Sequence, residues 1–110
     1  MAGKAAGKGP ARHERPALDE AALLAARHAD RMVAAAREGG QARWLAFLEP
    51  LPDRLRDGHL TDLRAVAVRA RAAYGPKDSI RDVLPAELTE PFRDALDRLL
   101  RVLARTDLED

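Results

Sequence analysis

The sequence predicts an all-α fold: a compact bundle of four main helices and one short helix, behind a disordered basic N-terminal tail. Three observations indicate this class. Apolar residues recur three and four positions apart, as they do on one face of a helix. Glycines and prolines mostly fall between these runs, where helices end. No segment shows the strict alternation of apolar and polar residues that is typical of a half-buried strand.

Residues 1–16 are predicted to be the tail, because they mix Gly, Ala, Lys and Pro without apolar periodicity. They carry four basic residues and one acidic residue, whereas the other 94 positions hold 15 basic and 17 acidic residues. The cations of the tail are Lys4, Lys8, Arg12 and Arg15. Two interpretations stay open: a solvated leader without a role, or an arm that touches nucleic acid through salt-sensitive contacts.

The first helix is predicted to run from Pro16 or Ala17 to Glu38, because proline suits a first turn and Gly39-Gly40 ends a helix. Its buried stripe is rich in alanine, which allows a neighbouring helix to approach closely. The stripe consists of Leu18, Ala22, Ala25, Ala29, Met32, Val33 and Ala36.

The next segment keeps a helical register of apolar residues but contains Pro50 and Pro52. Each proline removes a backbone donor and disfavours helix at the residue before it. We therefore expect two short helices, at 41–49 and 52–57, with a kink between them. Gly58 supplies the stop.

A third main helix is predicted from Thr61, as its N-cap, to Tyr74, before Gly75-Pro76. Ser79 then caps a short helical turn over 80–84.

The last helix is predicted over 90–105. Thr89 is its expected N-cap, and Pro91 then falls in the first turn, where its missing donor matters little. Residues 106–110 are expected to fray.

The residue types that carry catalysis and metal binding are scarce. The chain has no cysteine, and none of His13, His28 and His59 has a second histidine, or a favourably placed carboxylate, three or four positions later. Ser79 is the only serine, and its two interpretations are a helix cap or a nucleophile that a distant histidine would activate. No glycine-rich phosphate loop is present. The sequence therefore predicts a protein that is not an enzyme and holds no metal or cofactor.

The longest uninterrupted apolar run, Ala21 to Ala26, is far shorter than the roughly 18–20 residues that cross a bilayer. No apolar stretch follows Lys4 and Lys8, so the N-terminus does not resemble a secretory signal. The expectation is a cytoplasmic protein without membrane association.

Protein binding is left by elimination as the predicted activity, and a second copy of the chain is one candidate partner. Trp44 and Tyr74 are amphipathic residues that interfaces favour, although their stripe positions also suit a core. Leu45 and Val68 project off the buried stripes, and Arg64 and Arg71 flank the stripe of the third main helix. The candidate partner-binding residues are thus Trp44, Leu45, Arg64, Val68, Arg71 and Tyr74.

One stretch of about 40 residues carries a pattern of aromatic, aliphatic and turn residues. It comprises Trp44, Leu48, Leu55, Gly58, Leu63, Tyr74-Gly75, Ser79, Asp82 and Leu84. In this pattern the stretch resembles a family of small, uncharacterised bacterial helical proteins that are similar to immunity-type proteins. The chain departs from the family at His59, at Pro76-Lys77-Asp78 and at Arg81, where the family has Asp, a glycine-rich turn and Asn.

The resemblance implies an immunity-like or antitoxin-type module that binds a partner and occludes it sterically. The alternative is a small nucleic-acid-associated accessory protein that uses the basic tail.

Overall fold

A computed structural model describes residues 14–109 of the chain, with the backbone alone at 107–109. These residues form helices α1 (Pro16–Glu38), α2 (Ala42–Leu48), α3 (Leu51–Asp57), α4 (Leu60–Ala72) and α5 (Ala86–Glu109), with a 3-10 turn at Ile80–Asp82 and no strand. Counted with α2 and α3 as one broken segment, they confirm the predicted bundle of four main helices and one short helix. The predicted tail lies, up to position 13, outside the described residues.

The glycine pair after α1 forms a defined stop. Gly40 has a φ of 66°, a left-handed conformation that glycine adopts without strain. The Gln41 N–H donates to the carbonyl oxygen of Ala36 at 2.9 Å, and the Gly40 N–H donates to that of Arg37 at 3.3 Å. This is the Schellman arrangement, which satisfies the last carbonyls of a helix. It ends α1 where the sequence predicts and allows α2 to fold back against α1.

The predicted kink lies between α2 and α3, within a residue of the expected bounds. Pro50 precedes α3 and Pro52 falls in its first turn, where no helical N–H bond is lost. After α3, a Cβ on Gly58 would lie 2.5 Å from the carbonyl oxygen of Arg54. The chain passes so close to its own backbone there that only glycine fits.

Two predicted caps are wrong. α4 begins at Leu60 with His59 at the N-cap position, so Thr61 lies inside the first turn. α5 begins at Ala86, and Thr89 lies in the helix with its N–H donating to the carbonyl oxygen of Pro85 at 3.0 Å. The helix tolerates Pro91 in its second turn because the lost bond would have served only one carbonyl near an exposed helix start. The capping role of Ser79 is confirmed, since its Oγ accepts the Arg81 N–H at 3.1 Å.

Ion pairs between helices show the directions in which the helices run. Arg56 of α3 pairs with Asp30 of α1 at 2.7 Å (Nη2 to Oδ2), and Glu49, just before α3, pairs with Arg37 near the end of α1. The two helices are therefore antiparallel. Arg98 of α5 lies 3.7 Å from Glu20 near the start of α1 (Nη2 to Oε1). With contacts of α4 to both α3 and α5, the four segments close into an up-down-up-down ring.

The core lies inside this ring. The buried face of α1 is mostly alanine, whereas α5 contributes large side chains. The α5 members are Phe92, Leu96, Leu99 and Leu103, and all four are fully buried. Among the described residues, no helix combines the length and the apolar character that a membrane crossing requires.

Candidate protein-binding surface

Helix α2 leaves three of its large apolar side chains only partly buried. It is only seven residues long, and four of them are large and apolar. Leu48 is fully buried, whereas Trp44, Leu45 and Phe47 are only partly buried and pack against the core from outside. Because α2 has only two turns and ends before Pro50, it can direct about one large side chain per turn toward the core. The other large side chains therefore stay at the surface.

The two aromatic rings of α2 form a fixed pair. Trp44 and Phe47 meet edge to face, with ring centroids 5.8 Å apart and planes at 89°. The guanidinium carbon of Arg43 lies 5.6 Å from the Trp44 centroid, and that of Arg69 on α4 lies 5.8 Å from the Phe47 centroid. Such cation–π contacts hold the arginine side chains in place while the N–H groups at the guanidinium edges stay available.

These side chains border two shallow recesses along α4. The first, of about 420 Å³, is lined by Arg43, Trp44, Phe47, Arg69, Ala72, Ala73, Lys77 and Asp78. The second, of about 380 Å³, is lined by Arg54, Gly58, Asp62, Ala65, Val66 and Arg69. Arg69 belongs to both recesses, so the two form one continuous surface on the outer side of α2 and α4.

Val68 extends this surface. It is 55% exposed, and among the described residues it is the one large hydrophobic residue in that class. Ala65 and Ala72, three and four positions away, are its neighbours on the helix, and each lines one of the recesses. We refer to Arg43, Trp44, Phe47, Val68, Arg69 and Lys77 as the aromatic–arginine surface.

The structure divides the six predicted partner-binding residues. Trp44 and Val68 lie on the aromatic–arginine surface, and Leu45 packs partly buried beside it. Arg64 and Arg71, four positions before and three positions after Val68, reach from α4 toward α5. The Arg71 Nε lies 2.7 Å from Asp97 Oδ1, and an Arg64 N–H donates to the carbonyl oxygen of Leu103 at 3.4 Å.

Tyr74 belongs to the core. Its ring is buried, and its hydroxyl donates to the carbonyl oxygen of Thr89 at 2.6 Å. Burial, with a smaller contribution from the charge of Glu90, raises the pKa of this hydroxyl well above its ordinary value. The hydroxyl therefore keeps its proton and donates it in the hydrogen bond that joins the segment just after α4 to the first turn of α5.

Sequence reasoning missed Arg43, Phe47, Arg69 and Lys77 as members of a surface. One signal could have found the first two: a seven-residue helix that carries four large apolar residues cannot bury them all. No signal in the sequence places Arg69 over Phe47, because that contact depends on how α2 packs beside α4. Of the predicted tail cations, Arg15 is described and occupies the N-cap position of α1. Lys4, Lys8 and Arg12 lie outside the described residues.

A third recess, which is polar and separate from the aromatic–arginine surface, has a volume of about 460 Å³ and lies at the junction of α4, the 3-10 turn and α5. Ser79, Thr89 and Glu90 line it, and the Arg81 Nε lies 2.9 Å from Glu90 Oε2. The Ser79 hydroxyl is occupied as a cap acceptor. Hydrogen bonds and ion pairs thus account for most of the polar groups there, although the buried Thr89 Oγ1 has no hydrogen-bond partner among the described residues. On the aromatic–arginine surface, Arg43 and Arg69 make cation–π contacts instead of ion pairs within the described part of the chain.

In the part of the chain whose side chains are described, residues 14–106, no three or more metal-ligating side chains come together. No protein-family model, curated protein or solved structure matches the chain. Inference about its function therefore depends on the geometry of the aromatic–arginine surface.

Proposed function

We propose that this chain is a non-enzymatic protein-binding module and that the aromatic–arginine surface is its contact site. One observation carries the proposal: the partly exposed aromatic pair Trp44 and Phe47 lies on the same side of the bundle as Val68, the one large hydrophobic residue in the exposed class among the described residues. Tryptophan, phenylalanine and arginine are the residue types enriched in protein interfaces and at their energetic centres. An apolar patch with arginines at its edge is the usual composition of such a site.

The proposed mechanism is steric occlusion of the bound partner, in the manner of an immunity-like or antitoxin-type protein. The stretch from Trp44 to Leu84, which resembles bacterial proteins of that type, contains the whole surface except Arg43. The proposal includes a cytoplasmic location, which the absence of cysteine favours.

The test is capture of partners by the tagged full-length protein from its native lysate, with and without nuclease. We expect a stoichiometric protein partner that survives nuclease and is lost with Val68→Glu. A glutamate at this position keeps a good helix former but places a charge in the patch. The matched control is Arg101→Glu, which changes an exposed position of α5 and should retain the partner.

Material that disappears with nuclease, and that removal of residues 1–16 also abolishes, would instead favour the nucleic-acid accessory function. A protein partner that binds Val68→Glu as well as the unmodified chain would place the contact site elsewhere.

A further inference from the structure

Many cations of the bundle form ion pairs, such as Arg37 with Glu49 at 3.1 Å and Arg71 with Asp97 at 2.7 Å. Others, such as Arg27, Arg31 and Arg101, have no ion pair among the described residues. Within the described part of the chain, Arg43, Arg69 and Lys77 have no ion-pair partner.

The two recesses are basic overall. Their ionisable lining residues are Arg43, Arg54, Arg69, Lys77, Asp62 and Asp78. Four basic residues therefore face two acidic ones, which leaves positive charge beside exposed aromatic and aliphatic groups. A partner that covers this apolar patch must also supply carboxylates, because burying the cations without counter-charges is unfavourable.

We propose that the partner presents an acidic amphipathic helix, which lies along α4 with its apolar side on Trp44, Phe47 and Val68. This inference rests on the proposed function. The partner carboxylates pair with Arg43, Arg69 and Lys77. Because each of the two guanidinium groups is held over a ring, its N–H edge is set to receive a carboxylate in a two-bond pair.

The shape of the surface favours a helical ligand over an extended one. Extended peptides bind by adding a strand to a sheet edge, and residues 14–109 contain no strand. An amphipathic helix binds instead by placing side chains three, four and seven positions apart into a groove between helices. From Asp62 to Ala73 the recesses follow α4 over about 16 Å, the length of about eleven helical residues.

Two other occupants fit less well. A second copy of the chain, docked symmetrically through this surface, would bring Arg43, Arg69 and Lys77 against the same cations of its partner. A single-stranded nucleic acid would need open aromatic faces for base stacking. Here Trp44 and Phe47 meet edge to face, and a guanidinium group lies over each ring. The exposed Val68 also offers nothing to a phosphate backbone.

The test is selection from a displayed library of 18-residue amphipathic helices, randomised on both faces, against the immobilised full-length protein. Selected peptides are then titrated in solution by following Trp44 fluorescence. Because Trp44 is the only tryptophan of the chain, a spectral change reports binding at this surface when the peptides contain no tryptophan. We expect enriched peptides to carry Asp and Glu on the polar face and to lose affinity as salt rises.

Arg69→Glu should raise the Kd of these peptides at least about tenfold, whereas Arg69→Lys should raise it less. Arg101→Glu, on α5, is the matched charge reversal and should leave the Kd within about twofold. Thermal unfolding of each variant separates a lost contact from a lost fold.

Other outcomes distinguish this inference from the proposed function. Neutral or basic peptides that require Val68 but not Arg69 would overturn the acidic partner and leave a protein-binding surface in place. A dimer in sedimentation that Val68→Glu dissociates would overturn it in favour of a second copy. Failure to enrich any peptide that depends on Val68 would count against both.

Discussion

The α1–α5 pair and the α2–α4 side of the bundle bury their apolar residues to very different extents. Eight residues of α1 are buried, six of them alanines, and they pack with the large buried side chains of α5. In α2 only Leu48 is buried, although Trp44, Leu45 and Phe47 are larger than any alanine. The alanines are therefore inside the molecule, whereas several much larger side chains of α2 are only partly buried.

Residue size alone therefore does not determine which side chains are buried in a chain of this length. Alanines let two long helices approach closely, so that Phe92, Leu96, Leu99 and Leu103 of α5 are fully buried. α2 needs only Leu48 as an anchor, and its remaining apolar groups are available for contacts with another molecule.

The two phenylalanines of the chain provide the largest test of this contrast, because one lies in each region. Phe92→Ala should lower the free energy of unfolding by about 3–5 kcal/mol, since a fully buried ring is lost and a cavity remains. Phe47→Ala should lower it by only about 1–2 kcal/mol, because that ring is partly in water already. Denaturant unfolding followed by circular dichroism measures both. Equal losses would show that the two regions are packed alike.

Adding volume tests the same contrast from the opposite direction. Ala25→Leu should destabilise the protein by about 1–3 kcal/mol, because the fully buried alanine face of α1 has no room for three more carbon atoms. Ala34→Leu, the same change on the exposed side of the same helix, should alter stability by less than about 0.5 kcal/mol. If thermal unfolding shows that α1 accepts leucine at 25 as easily as at 34, the helices do not pack closely there.

Much of this fold could be predicted from local sequence signals. Gly39-Gly40 and Pro50 act on the backbone within a few residues, so the ends of α1 and α2 are close to their predicted positions. The predicted start of α5 is wrong because Pro91 also fits a first turn, so the sequence pattern places the start four residues after Ala86. A proline near a helix start is compatible with either boundary, and only the packing of the whole helix decides between them.

The candidate site was less predictable. The exposure of Val68 follows from its place off the buried stripe of α4, and the structure bears this out. Arg69, also off that stripe, carries no sequence signal that it covers Phe47, a residue 22 positions earlier. For Tyr74 the sequence leaves two interpretations, because tyrosine is common both in interfaces and in cores. The hydrogen bond that decides for the core joins the Tyr74 hydroxyl to the Thr89 carbonyl oxygen, 15 positions away in the sequence.

Trp44→Ala should have an intermediate effect, a loss of about 1–2 kcal/mol, because the ring packs on the core on one side only. Its removal also takes away the edge-to-face contact with Phe47. Circular dichroism must follow the unfolding, since the only tryptophan is gone. A loss of about 3 kcal/mol or more would make Trp44 a core residue and remove the centre of the aromatic–arginine surface.

The smallest effect is expected at Val68, and Val66 on the same helix provides its matched control. Val68→Ser should change the free energy of unfolding by less than about 0.5 kcal/mol, because the side chain is already in water and the two residues have similar helix propensities. Val66→Ser places a hydroxyl at a buried position and should cost about 2 kcal/mol or more.

Thermal unfolding of both variants at two protein concentrations distinguishes the possible outcomes. If Val68→Ser were as harmful as Val66→Ser only at the higher concentration, a second copy of the chain would be covering Val68 in solution. A loss that is independent of concentration would mean that Val68 is buried within one chain, and the contrast between the two sides of the bundle would then fail at α4.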